Sequence, residues 1–156
     1  MLLKMLGVSA LVLTVAAGTA QAAEETVTAR AAVVDGSTLR LDGHAIRIWG
    51  IAVPPANKPD GMRATIELFK LIDGRIVSCH MEGGGSPRIG KCEAGGLDVG
   101  ALMVDNGFAR DCVAQTNARY RIQEQRARSR GSQIADTLEL PAHCKGGSPG
   151  RKNPAG

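Results

Sequence analysis

From Thr26 to Ile51 apolar and polar positions alternate: Val27, then Ala31 to Val34, then Leu39, Leu41, Ile46 and Ile48. A period of two marks a strand with one buried face. Asp35-Gly36 and Asp42-Gly43 punctuate the run, and Asp-Gly between alternating apolar residues predicts hairpins. Three meandering strands are therefore expected. After Pro54-Pro55 the period changes. Met62, Ile66, Phe69 and Ile72 fall on one helical face, which predicts an amphipathic helix ending at Asp73-Gly74.

Two more strands are read from Arg75 to Met81 and from Arg88 to Glu93, joined by Gly83-Gly84-Gly85-Ser86-Pro87. Leu97 to Asn106 reads as a second helix, with Gly107 placed as its C-terminal stop. Asn117 is a suitable cap for a third helix running to Arg130 and stopped by Gly131. No internal repeat is visible. Five strands, first interrupted and then closed by helices, predict a mainly β fold with α additions: a five-stranded Greek-key barrel of the OB type with three helices.

The ends differ from this body. Lys4 is followed by an apolar run from Met5 to Ala17 and by Ala20-Gln21-Ala22, the layout of a cleaved secretory signal over residues 1–22. The run is too short for a comfortable membrane span, so a secreted or periplasmic protein without one is expected. Residues 23–144 would form one domain, and 145–156, rich in Gly, Pro, Ser and basic residues, a disordered tail. Without Lys4, 18 basic residues face 15 acidic ones, a net charge of +3. That permits an anionic partner without demanding one.

All four cysteines lie in the body, and an even number in an exported chain predicts two disulfides. Cys79 and Cys92 flank the Gly-rich reversal that would bring their strands together. This favours Cys79–Cys92 and leaves Cys112–Cys144 to pin the chain's end. No Cys-x-x-Cys pair or Cys/His knuckle supports zinc instead, and His44, His80 and His143 show no ligand spacing.

The segments "VVDGSTLRLDGHAIRIWGIAVPP", "GMRATIELFKLIDGRIVSC", "PRIGKC", "LDVGALMVDNGFA" and "YRIQEQRARSRG" together resemble the thermonuclease, or staphylococcal nuclease-like, family, in order from Val33 to Gly131. The resemblance implies a five-stranded OB barrel with three helices, whose active members hydrolyse DNA and RNA with a calcium ion. Such chemistry needs arginine forks to clamp phosphoryl charge, oxygen ligands for a hard cation, and a carboxylate beside the attacking water. By the family's pattern Asp35 and Thr38 are retained, but Ser37 replaces a calcium-binding Asp. Ala52 replaces the second metal carboxylate, and Pro55 the catalytic glutamate. Arg47 and Arg88 correspond to the two phosphate-holding arginines.

With these carboxylates missing together, no metal or other cofactor is assigned. Loss of the base alone costs roughly 10²–10⁴-fold in rate. The expectation is an exported monomer that binds nucleic acid or another phosphorylated anion through Arg47 and Arg88, with hydrolysis lost or greatly reduced. Tyr120 is a candidate for stacking on a base, while Trp49 reads as core or barrel rim. Arg119, Arg121, Arg126, Arg128 and Arg130 read first as a solvated helix face and second as a phosphate track. A divergent nuclease recruiting Asp42, Asp60 or Glu67 is one alternative. An envelope structural protein linked to exopolysaccharide synthesis, as the resemblance also allows, is the other.

Overall fold

The computed structural model describes residues 25–83 and 85–145. The expected export signal, and the expected tail beyond Lys145, lie outside the described residues. Strand β1 (Thr26–Asp35) turns onto β2 (Thr38–Leu41), and β2 onto β3 (His44–Ile48), as antiparallel neighbours. The alternation has its physical reason here: Leu39, Leu41, Ile46 and Ile48 all point into the core. Asp42 and Gly43 both take positive φ, 46° and 79°, the backbone that matches a two-residue turn to strand twist.

A short strand β4 (Ile51–Ala52) leads to α1 (Pro59–Ile72), then β5 (Ile76–Met81) and β6 (Arg88–Ala94) pair antiparallel. β1 also pairs with β5, and β3 runs parallel to β6. The ring β1-β2-β3-β6-β5 thus closes on itself, an OB-fold-like barrel with helical additions. β7 (Leu97–Asp98), α2 (Val99–Asp105), β8 (Arg110–Asp111), α3 (Val113–Thr116), α4 (Arg121–Ser129) and α5 (Gln133–Thr137) complete the chain. A 3-10 turn, Ala142–Cys144, follows α5. No helix among the described residues is long and apolar enough to cross a membrane.

Three element readings change. The second helix starts only at Val99, because Leu97 and Asp98 pair with β6 and the Asp98 carboxylate caps the helix by accepting from the Ala101 N–H at 3.0 Å. In α1 the inward residues are Gly61, Ala64, Leu68 and Ile72, while Met62, Ile66 and Phe69 are half-exposed or more. Small residues on the inner face let the helix backbone approach the barrel, since a Cβ at Gly36 would stand only 2.8 Å from the Ala64 Cβ. Asn117 does not cap the third substantial helix. It closes α3 in the left-handed conformation, φ 53°, and α4 begins only after Tyr120. Asn tolerates that conformation better than most residues, and so serves an end as readily as a start.

Both disulfides form as the spacing indicates. Cys79–Cys92 joins directly opposed residues of β5 and β6, inside the core. Cys112–Cys144 ties the final turn to the start of α3. These cysteines form a second small cluster with Ala52, against which Leu138 and Leu140 pack.

Candidate functional site

The mouth of the barrel beside β3 is organised by the turn Trp49-Gly50. Gly50 has φ 79°, and a Cβ there would lie 2.5 Å from a Thr116 methyl, so only glycine fits. Its N–H donates to the Gln115 Oε1 at 3.1 Å, and its carbonyl accepts from the Cys112 N–H at 2.9 Å. The Trp49 N–H donates to the Gly90 carbonyl at 2.8 Å. These bonds dock the strand end simultaneously against β6 and α3. A cavity of about 180 Å³ opens there, with walls from Ser37, Arg47, Ala52, Ile89, Gln115 and His143.

Arg47 is exposed on the cavity wall, and its guanidinium pairs with no carboxylate among the described residues. Ser37 also reaches the wall, but its N–H and hydroxyl both donate to the Asp35 carboxylate, at 2.8 and 3.0 Å. Asp35 is thus occupied in closing its own turn. Ala52 presents its methyl between the cavity and the cluster of Leu138, Leu140 and the second disulfide. Pro55 lies outside the cavity wall. Its carbonyl accepts from the Lys58 N–H at 2.9 Å at the entry to α1.

Arg88 and Arg47 are not brought together. In the parallel β3–β6 register Ile89 stands opposite Arg47 and Arg88 opposite Ile46. Neighbouring side chains on a strand point to opposite faces, so Ile89 reaches the cavity and Arg88 does not. The Arg88 guanidinium instead pairs with the Glu25 carboxylate. The substitute carboxylates are also placed elsewhere. Asp60 pairs with Arg63 at 3.3 Å, Glu67 accepts from the Asn106 amide at 2.8 Å, and Asp42 sits in the β2–β3 turn.

Tyr120 does not stack on a base. The residue is 2 % exposed, its ring meets Trp49 edge-on at 6.2 Å, and its hydroxyl donates to the Asp98 carboxylate at 2.9 Å. Burial first, and then the Asp98 charge, push its phenol well above the ordinary tyrosine range. Trp49 is partly buried against the core, with the Lys91 ammonium 4.4 Å from its ring centre.

Behind the cavity lies a polar network. Asp111 accepts from the Thr116 hydroxyl at 2.5 Å and from the Tyr120 N–H at 3.1 Å. Glu124 accepts from Arg110, Arg128 and the Asp111 N–H at 3.0, 2.8 and 2.9 Å. Burial raises the Asp111 carboxyl above its ordinary range despite its two donors. Burial opposes ionisation of Glu124 too, but its donors outweigh burial and hold it below that range. The arginine run is largely absorbed by acids: Arg119 faces Asp98, Arg126 and Arg130 face Asp105, and Arg128 bridges Glu124 and Asp136.

The sequence reading passed over Gln115, Pro141 and His143, all of which line the cavity. The signal that could have found them was the second disulfide, which carries the chain's end back to the barrel mouth. Cys112, His143 and Cys144 offer ligand atoms within 4.8 Å of one another, but both sulfurs are bonded to each other and unavailable to a metal. Neither a protein-family model nor a curated protein matches the sequence.

Proposed function

We propose that this chain is an exported, thermonuclease-like barrel whose cavity beside Arg47 holds a phosphate-bearing anion, in nucleic acid or another phosphorylated ligand, and no longer hydrolyses it. One observation carries the reading: the cavity presents the unpaired Arg47 guanidinium and no carboxylate from the described residues. A fixed guanidinium recognises phosphate through charge-assisted hydrogen bonds. A hard cation needs several oxygen ligands, carboxylates above all. The wall offers a hydroxyl already donated to Asp35, an amide already accepting from Gly50, and a methyl. Two disulfides are compatible with export to an oxidising compartment.

The test uses the oxidised protein with single-stranded DNA, in calcium and in EDTA. The expected result is no cleavage in either. At low salt a short oligonucleotide or a nucleoside bisphosphate binds saturably, and Arg47→Ala weakens binding by roughly 10–100-fold. Calcium-dependent cleavage that disappears in Arg47→Ala would overturn the loss of hydrolysis. Binding unchanged by that substitution would overturn the site.

A further inference from the structure

If Arg47 holds an anion, the second arginine of the resemblance does not help it, because Arg88 lies on the other face of β6. What lines the same cavity is the turn Ala142–Cys144 with Pro141 before it. Cys144 is buried and disulfide-bonded to Cys112, while the adjoining His143 is exposed and lines the same cavity as Arg47. The segment is held before that point as well. Leu138 and Leu140 pack on Ala52 and the disulfide, and Arg110 donates to the Leu138 carbonyl at 2.7 Å. The Cys144 N–H donates to the Pro141 carbonyl at 2.9 Å, which closes the turn carrying the imidazole.

Resting on the reading of Arg47 as an anion site, we infer that His143 is the second ligand-binding residue of this cavity, and that the ligand is a terminal phosphate monoester. Two features select that class. The cavity, at about 180 Å³, is smaller than the several hundred Å³ of ordinary organic-ligand pockets, so it suits a phosphoryl group with little else. The lining also sets a second donor, His143, in the same cavity as Arg47. A monoester dianion can accept from both the guanidinium and a protonated imidazole.

The pH behaviour follows from these partners. Among the described residues the other wall residues, from β3, β4, β6, α3 and the turns between them, carry no charge, and Arg47 is the one permanently charged side chain that lines the cavity with His143. On the histidine's own segment, Lys145 is paired with Glu139 at 2.9 Å. An imidazole donates two hydrogen bonds to an anion only when protonated, and a phosphate monoester takes up its second negative charge near pH ~6. Affinity for a monoester therefore passes through a maximum and falls on both sides. Sulfate, a dianion throughout, loses affinity only on the alkaline side.

The experiment measures binding of a nucleoside 3′,5′-bisphosphate, of sulfate and of an end-blocked oligonucleotide, from pH 5 to 8, by titration calorimetry. His143 is followed by NMR. Wild type should bind sulfate roughly tenfold more weakly at pH 8 than at pH 5.5, and the His143 titration should move upward when sulfate is added. His143→Gln, a substitution at an exposed position, should flatten the sulfate profile while Arg47→Ala weakens binding throughout. A profile unchanged in His143→Gln overturns the inference and leaves the Arg47 site standing. No saturable binding by wild type removes both. An end-blocked oligonucleotide binding as tightly as the bisphosphate overturns the monoester class.

Discussion

A Cβ added at Gly61 would lie 2.0 Å from the Pro55 carbonyl oxygen and 2.5 Å from its carbon. Both are backbone atoms, fixed by the turn that delivers the Lys58 N–H to the same oxygen. The first turn of α1 therefore tolerates no side chain here. Gly61→Ala should destabilise the protein by about 2–3 kcal/mol, near the upper end for overpacking, although alanine is the better helix former by about 1 kcal/mol. Urea denaturation checks this, and a stabilised variant would show that the turn yields instead. Hydropathy cannot foresee such a contact, because glycine in a helix reads as a weak former and not as a meeting point of backbones. The same limit applies at the cavity. Ser37 and Ala52 were legible as cavity positions because the flanking residues fix their register, and both line the cavity. The facing of Arg88 was not, since one residue of register decides which side of β6 it occupies.

Among the elements, α4 shows how a charged helix is held, and why its arginines are poor evidence for a phosphate track. Glu124, mostly buried, receives Arg110 from β8 and Arg128 from its own helix, and also the Asp111 N–H. Its carboxyl is held below the ordinary value of 4.5 by these donors against the opposing effect of burial. A carboxyl depressed on folding contributes stability that is present above the unfolded value and lost as pH falls through the folded one. Asp111 has the opposite sign: its raised carboxyl takes up a proton more readily in the folded state, which favours folding as pH falls. Comparison of Glu124→Gln with wild type at each pH removes most of the Asp111 contribution. The variant should be less stable by about 2–3 kcal/mol at pH 7. The gap should narrow below pH 4.5 as the wild-type carboxylate protonates. Denaturation at pH 7, 5 and 3 measures it, and a gap independent of pH would assign the loss to shape, not charge. The barrel strands were legible because a period of two has one buried face to satisfy. The helical part was less so, because α3, α4 and α5 are short and the polar contacts that place them come from distant residues.

At the scale of the whole molecule the two disulfides hold different things. Cys79–Cys92, 13 residues apart in sequence, joins opposed positions of paired strands in the barrel interior. Cys112–Cys144, 32 residues apart, joins the barrel mouth to a segment that also packs through Leu138 and Leu140 and accepts a hydrogen bond from Arg110. The chain-entropy estimates for the two loops are close, about 3 and about 4 kcal/mol, so overall stability alone separates them poorly. Hydrogen exchange separates them by location. Replacing Cys112 and Cys144 with alanine should speed exchange at the Cys144 position and Lys145, whose N–H groups close the final turn, while β1, β2 and β5 stay protected. Replacing Cys79 and Cys92 should instead lower protection throughout β1, β5 and β6, because those strands share the core the cystine occupies. If the first variant loosened the barrel as widely as the second, the C-terminal segment would be part of the folding unit. Its covering of the cavity would then not be separable from the fold. Local opening alone would make the same disulfide a tether, holding one wall of the cavity in place against a barrel that stands without it.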